Sequence, residues 1–193
     1  MRIVAGSFRG RVLKTPQSQA IRPTSDRLRE SVFDILAHAY DDPVPGARVV
    51  DLFAGTGALG LEALSRGAAK ILFIDDGAEA RALLRANVEA LGAGGVTRVF
   101  RRDATKLGLA PPGELFTLAF LDPPYGRDLA TRALRSLIDG GWLAEGALIV
   151  IEEAVDASLA LPEGIIEQER RRYGDTQIVI ARCVRMDSTS LPA

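Results

Sequence analysis

The chain has 193 residues, 47% of them apolar, and its Lys and Arg nearly balance its Asp and Glu at a net charge of −1. That length buries a full core as one domain, and no apolar run approaches the roughly 18 residues of a membrane span. A soluble protein is therefore expected. One cysteine and one histidine exclude an internal disulfide and a conventional zinc site, so no metal is expected. The opening MRIVAGSFRGR lacks the apolar stretch and cleavage site of a secretion signal, which points to the cytoplasm. Charge is uneven along the chain. Through Glu30 there are seven basic residues (Arg2, Arg9, Arg11, Lys14, Arg22, Arg27, Arg29) against Asp26 and Glu30, a net of +5, which leaves −6 on the rest. A basic arm on an acidic body suggests a polyanionic partner.

In chain order, RIV and RVLKT flank a Gly-bearing turn and read as a small hairpin. TSDRLRESVFDILAHAY follows, with Thr24 or Ser25 as N-cap and Leu28, Val32, Ile35, Leu36 and Ala39 on one helical face, the arginines falling off it. DDPVPG then breaks the pattern as a loop. From Ala47 the chain alternates strand-like and amphipathic runs: ARVVDLF, GALGLEALSRG, KILFID, AEARALLRANVEALG, TRVFRRD, FTLAFLD, DLATRALRSLIDGG and ALIVIEE. That rhythm predicts a doubly wound α/β domain with helices on both faces of a parallel sheet. GIIEQERRRYG and TQIVIARCV are joined without a helix and predict an antiparallel pair. The expected organisation is a basic hairpin-and-helix extension over 1–42, a catalytic α/β domain over 43–186, and a disordered tail over 187–193.

In VVDLFAGTGALG a strand runs into Gly55, Gly57 and Gly60 and then a helix, satisfying G-x-G-x-x-G in its strand-turn-helix context. Alone, the motif fits a nicotinamide or flavin cofactor equally well. Asp51, four residues before the first glycine, argues otherwise: it would repel a pyrophosphate and attract a cationic amino group. S-adenosylmethionine carries such a group, with a sulfonium and no phosphate. Asp75, at the end of KILFID, suits ribose hydroxyls, and Asp103 in FRRDAT can accept from an adenine amine while the Ala104 N–H donates to the ring. The candidate cofactor set is Asp51, Phe53, Gly55, Thr56, Gly57, Asp75, Asp103 and Ala104.

The run LFTLAFLDPPYG ends its strand with a carboxylate, two residues lacking an N–H, and an aromatic ring. The loop of Asp122, Pro123, Pro124 and Tyr125 would be stiff and would present acceptors, the Asp122 carboxylate and the Pro123 carbonyl. A nucleobase exocyclic amine brings two N–H donors to such a pair. Accepting both turns the nitrogen lone pair toward a sulfonium methyl, so catalysis is orientation plus stabilisation of developing charge. Tyr125 can stack on an extruded base.

DLFAGTGALG, the acid in FIDD, RRDA and LDPPYG, preceded by RIVAGSFRGRVLKTP and RPTSDRLRESVFDIL, resemble the RsmD family of 16S rRNA guanine-N2 methyltransferases over almost the whole chain. The glycine loop and D-P-P-Y are shared by many amine-directed DNA and RNA methyltransferases, whereas the N-terminal arm is the family-specific part. The resemblance implies methyl transfer to N2 of one guanine in small-subunit rRNA, on an assembled or assembling 30S subunit; the chain is expected to be a monomer. It also implies the class I methyltransferase sheet of seven strands, the last inserted antiparallel. In the family the acid ending the second strand is commonly Glu; here it is Asp75 followed by Asp76, either of which can take the ribose role.

Other readings are compatible with parts of the sequence. An amine-directed DNA methyltransferase would use the same D-P-P-Y chemistry but usually adds a sizeable target-recognition segment. A nucleotide-cofactor oxidoreductase is disfavoured by Asp51 and LDPPYG, and a non-catalytic RNA-binding module has no need of the strand-end acids. Cys183 reads as a packed thiol, His38 as a helix-end residue and Trp142 as core cover. Arg170, Arg171 and Arg172 suit an RNA surface or a guarded sheet edge equally.

Overall fold

A computed structural model describes residues 1–16 and 25–184. Its centre is a seven-stranded sheet in the order β3-β2-β1-β4-β5-β7-β6. The first five strands, β1 (Arg48–Leu52), β2 (Lys70–Ile74), β3 (Thr97–Phe100), β4 (Phe116–Leu121) and β5 (Leu143–Ala154), run parallel. β6 (Ile165–Tyr173) and β7 (Thr176–Cys183) form the expected antiparallel pair, and β7 inserts between β5 and β6. Sheet order reverses between β1 and β4, the point at which open α/β sheets leave a crevice at their carboxyl edge.

Both faces are covered, which is why the strands read as apolar runs without alternation. Val49, Phe73, Leu118, Phe120, Val150 and Ile178 face one core with α1 (Asp26–Ala39), α2 (Ala58–Ser65) and α3 (Ala78–Ala90). Their neighbours Val50, Leu52, Ile74, Leu121, Ile151 and Val179 face a second core with α4 (Leu129–Asp139). Trp142 is fully buried there, its indole N–H donating to the Gly108 carbonyl at 2.8 Å. Cys183 is buried and His38 lies in the last turn of α1.

The hairpin at the N-terminus closes through the antiparallel bridge Arg2–Val12, flanked by bonds from Ile3 N to Arg11 O and from Leu13 N to Met1 O. It packs into the first core rather than beside it, for Ile3 and Leu13 join Val32, Phe33 and the sheet residues in one apolar cluster. Ser25 caps α1 by accepting from Leu28 N at 3.1 Å. Thr24, Arg22 and the tail over 187–193 lie outside the described residues.

The face of α1 differs from its apolar reading in one respect. Arg29, expected among the exposed docking cations, is fully buried, whereas Ala39 is exposed. The reason is Glu62, an acid inside α2, every residue of which is buried. Arg29 Nε lies 3.4 Å from Glu62 Oε2, with no side-chain exposure on either partner, and Arg29 Nη2 donates to Asp26 at 2.8 Å and to the Arg2 carbonyl. A buried charge must be paired, so the helix turns this arginine inward.

Candidate active site

The glycine loop starts with a backbone outlier. Phe53 adopts φ 58°, in the left-handed region that a bulky side chain rarely enters, ahead of Gly55 at 54° and Gly57 at 81°. Such strain is held only where surrounding structure determines it, and it concentrates at ligand sites. Here the determinants are hydrogen bonds. Ala54 N donates to Ile74 O at 3.2 Å, Gly57 N to Ala54 O at 2.7 Å, Gly55 N to Asp75 Oδ2 at 2.9 Å and Gly60 N to Asp51 Oδ2 at 2.9 Å. Four N–H groups that a phosphate-binding loop would aim outward are thus spent inside the protein. The loop suits a ligand without a pyrophosphate.

Asp51 is 2% exposed beneath this loop. Gly60 is required above it, because a Cβ there would stand 3.0 Å from Asp51 Oδ2 and 2.4 Å from the Phe73 ring. Burial pushes the Asp51 carboxyl up to about 8, against the Gly60 bond that favours the anion. The sequence suggests a standing negative charge; the structure instead holds a mostly protonated acid at pH 7, which an arriving ammonium would ionise. Asp75 is half-buried, its other oxygen accepting from Gly77 N at 2.8 Å. Burial raises its pKa. Each oxygen keeps a lone pair for a hydroxyl donor. Asp76 is exposed, and it is its carbonyl that the Arg81 guanidinium takes.

Asp103 lies three residues past β3, exposed, its Oδ1 accepting from Thr105 N at 2.8 Å and Thr105 Oγ1 at 2.7 Å. The Thr105 hydroxyl bond, first among the causes, holds its carboxyl below the usual range. Ala104 is buried against the second core. Thr56, 4% exposed, passes its carbonyl to Asn87 Nδ2 at 2.9 Å.

The D-P-P-Y loop leaves β4 at the same carboxyl edge. β1 and β4 pair as far as Leu52 and Leu121, and β4 and β5 as far as Leu121 and Ile151. Asp122 and Tyr125 are half-buried, Pro123 is buried and Pro124 is exposed. The Tyr125 hydroxyl is already bonded, to Glu152 Oε1 at 3.1 Å and Thr176 Oγ1 at 2.9 Å. Burial raises its pKa, so the phenol keeps its proton. The ring, not the oxygen, is what this residue offers a substrate.

Of the seven basic residues of the arm, Arg2, Arg9, Arg11, Lys14 and Arg27 are exposed. Arg22 lies outside the described residues, and Arg29 is buried as an internal ion pair, so it belongs to the scaffold.

A family model described as Conserved hypothetical protein 95 matches residues 1–182. The chain belongs to this family, RsmD. It is 43% identical over 160 residues to the ribosomal RNA small subunit methyltransferase D of Escherichia coli K12, covering 82% of this chain and 77% of that one. The protein of the same name from Haemophilus influenzae is 34% identical, with 84% and 83% covered. A solved structure of the Escherichia coli protein yhhF matches this RsmD-family chain at 32% identity and a TM-score of 0.82, covering 96% of this chain and 99% of that one. A Salinibacter ruber RNA methyltransferase, solved with S-adenosyl-L-homocysteine, has a TM-score of 0.64 at 13% identity, covering 89% of this chain and all of that one. That last likeness is one of fold alone.

Several residues of this RsmD-family site escape sequence reading. Glu62, Asn87, Glu152 and Thr176 sit in no motif. Two left a signal: Glu62 is the one acid of an otherwise apolar helical run, and Glu152 with Glu153 closes the run ALIVIEE. Asn87 and Thr176 left none.

Proposed function

We propose that the protein is an S-adenosylmethionine-dependent methyltransferase that modifies the N2 amine of a guanine in 16S rRNA, acting in the cytoplasm as a monomer on the small subunit or its assembly intermediate. The observation that carries this reading is one crevice shared by two loops. The acid-lined, phosphate-averse glycine loop after β1 and the D-P-P-Y loop after β4 stand at adjacent strand ends, in a chain of the RsmD family. The names of its relatives supply rRNA of the small subunit, and the family resemblance supplies guanine N2.

The donor set fits the cofactor. Asp51 would take its ammonium, Asp75 its ribose hydroxyls, and Asp103 with Ala104 its adenine, beside Phe53, Gly55, Thr56 and Gly57. Bound there, S-adenosylmethionine supplies an electrophilic methyl on a sulfonium. The chain's own work lies in holding the amine. The Asp122 carboxylate and Pro123 carbonyl accept its two N–H groups, which draws the lone pair out of conjugation and toward the methyl. Asp122 would face the positive charge that develops on the amine nitrogen as it takes up the methyl, and the nitrogen's extra proton would leave to water. Tyr125 stacks against the base. Arg2, Arg9, Arg11, Lys14 and Arg27 supply phosphate contacts, with Arg22 assigned to them from sequence.

The deciding experiment offers labelled methyl donor to unmodified small subunits, naked 16S rRNA and duplex DNA, and identifies the product nucleosides. N2-methylguanosine from subunits or rRNA is expected. Label confined to DNA, as N6-methyladenine or N4-methylcytosine, would keep the D-P-P-Y chemistry and overturn the substrate. The Asp122→Ala variant is expected to lose transfer while binding cofactor as the parent does; retained turnover would remove the mechanism.

A further inference from the structure

β5 ends in two consecutive carboxylates, Glu152 and Glu153, which are 6% and 4% exposed. Consecutive strand residues project to opposite faces of a sheet, and Glu152 reaches the loop that leaves β4. It accepts from the Tyr125 hydroxyl at 3.1 Å, while the Glu153 carboxylate accepts from Ala154 N at 2.9 Å. The phenol carries one proton, which goes to Glu152. The Thr176 hydroxyl, 2.9 Å away on β7, is therefore the donor to the phenol oxygen. Tyr125 is thus tied to β5 and β7 while its backbone leaves β4, so three strands of one sheet define the position of its ring.

We propose that Glu152 is a positioning residue of the methyl-transfer site: acting through the Tyr125 hydroxyl, and completed by Thr176, it fixes the ring as a pre-set stacking platform for the extruded base. This rests on the reading above that Tyr125 meets a nucleobase. Swinging the ring away would take one donor from a buried acid and one acceptor from the Thr176 hydroxyl. Losing a hydrogen bond to a buried acid opposes the motion roughly tenfold. The ring therefore keeps its place when the base arrives, and its ordering is complete before binding.

The test is a double-mutant cycle read by single-turnover methyl transfer to unmodified small subunits, with cofactor affinity measured separately. Tyr125→Phe and Glu152→Leu are each expected to slow the chemical step roughly tenfold, and the double variant no further than either alone. Glu152→Gln should recover most of the loss, because its amide oxygen still accepts the phenol. Thr176→Val should slow the parent but leave Tyr125→Phe unchanged, which keeps the assignment testable if Glu152→Leu does not fold. Cofactor affinity should stay at the parent value throughout. Multiplicative losses in the double variant would overturn the proposal, because Glu152 would then act independently of Tyr125. A Glu152→Gln variant as slow as Glu152→Leu would do the same, by making charge rather than the hydrogen bond the essential feature. A parent inactive on every rRNA substrate would remove the functional reading and this assignment with it, and is distinguished because it precedes any variant.

Discussion

With Asp51 assigned to the cofactor's ammonium, as proposed above, cofactor binding should release a proton. The Asp51 carboxyl, buried under the glycine loop and accepting from Gly60 N, is pushed by burial from an ordinary 3.8 up to about 8. An ammonium seated over the loop would hold it as the anion, so binding at pH 7 expels the proton. With a free-state pKa of about 8, the ionised fraction, and with it the apparent affinity, rises about ninefold between pH 6 and pH 7. Above pH 8 the ligand's own α-amino group, of pKa about 8, loses its proton and affinity turns down. Titration calorimetry in two buffers of different ionisation heat should find a net release of about 0.8 proton per ligand at pH 7, roughly 0.9 from Asp51 less roughly 0.1 taken up by the amine. Asp51→Asn keeps an acceptor for Gly60 N; it should bind more weakly and lose both the release and the slope. The same group shapes stability. The folded chain holds a proton that the unfolded chain surrenders near pH 4, so this contribution to stability falls as pH rises from about 4 to about 8. The asparagine variant should gain on the parent across that window, by about 6 kcal/mol at most. Flat affinity from pH 6 to 7 in the parent, or the same slope in the variant, would refute the assignment of Asp51 to the ammonium.

Glu62→Ala should destabilise the fold by about 3 to 5 kcal/mol, because it strands buried Arg29 and removes the acceptor of Val4 N and Ala5 N at 2.8 and 3.0 Å; thermal unfolding would register a fall of roughly 10 °C, and an unchanged midpoint would contradict the buried network. Replacing Arg9, Arg11 and Lys14 together by Gln should leave unfolding unchanged and flatten the salt dependence of rRNA binding by about 2 to 3 in log–log slope, whereas an unaltered slope would take the arm out of phosphate contact. Gly6→Ala should detach the hairpin from α2, since a Cβ there meets the Ser65 carbonyl at 1.9 Å at φ +78°, and hydrogen exchange at Ser7 and Phe8 would report it.

The parallel sheet and its helices are legible because burial on both faces writes itself as apolar runs, and Gly55, Gly57 and Asp122 are legible because their spacing has a local cause. What sequence reading misses is set across the chain. Arg29 looks like its exposed neighbour Arg27 until Glu62, 33 residues away, fixes its face. Asp103 has the right type and place, but its exposure and its turn to Thr105 depend on where β3 stops. The bond of Tyr125 to Thr176 joins residues 51 apart, through a β7 that enters the sheet out of sequence order. A local pattern can flag one end of such a pair, as D-P-P-Y flags Tyr125, but none encodes the pairing.

The arm that would grip RNA is fastened to the loop that would hold the cofactor, and this limits how the two sites can behave. Asn87 on α3 accepts from Lys14 N at 2.7 Å and donates to Lys14 O at 3.1 Å and to Thr56 O at 2.9 Å. One buried amide thus holds the end of the hairpin and the middle of the glycine loop. Glu62 does the same one helix earlier, joining Val4 and Ala5 to Arg29 and Arg66. Moving the hairpin as a body would break these bonds and expose Ile3 and Leu13, which are 0% and 2% exposed. At about 1.5 to 3 kcal/mol for each apolar side chain uncovered, together with the orphaned polar groups, that motion is too costly to accompany each turnover. The hairpin is therefore fixed relative to the glycine loop. On the proposed function, RNA docked on Arg9 and Arg11 would meet the glycine loop and D-P-P-Y at a distance set by the fold, and the adaptation needed to bring a base to Tyr125 would fall on the RNA.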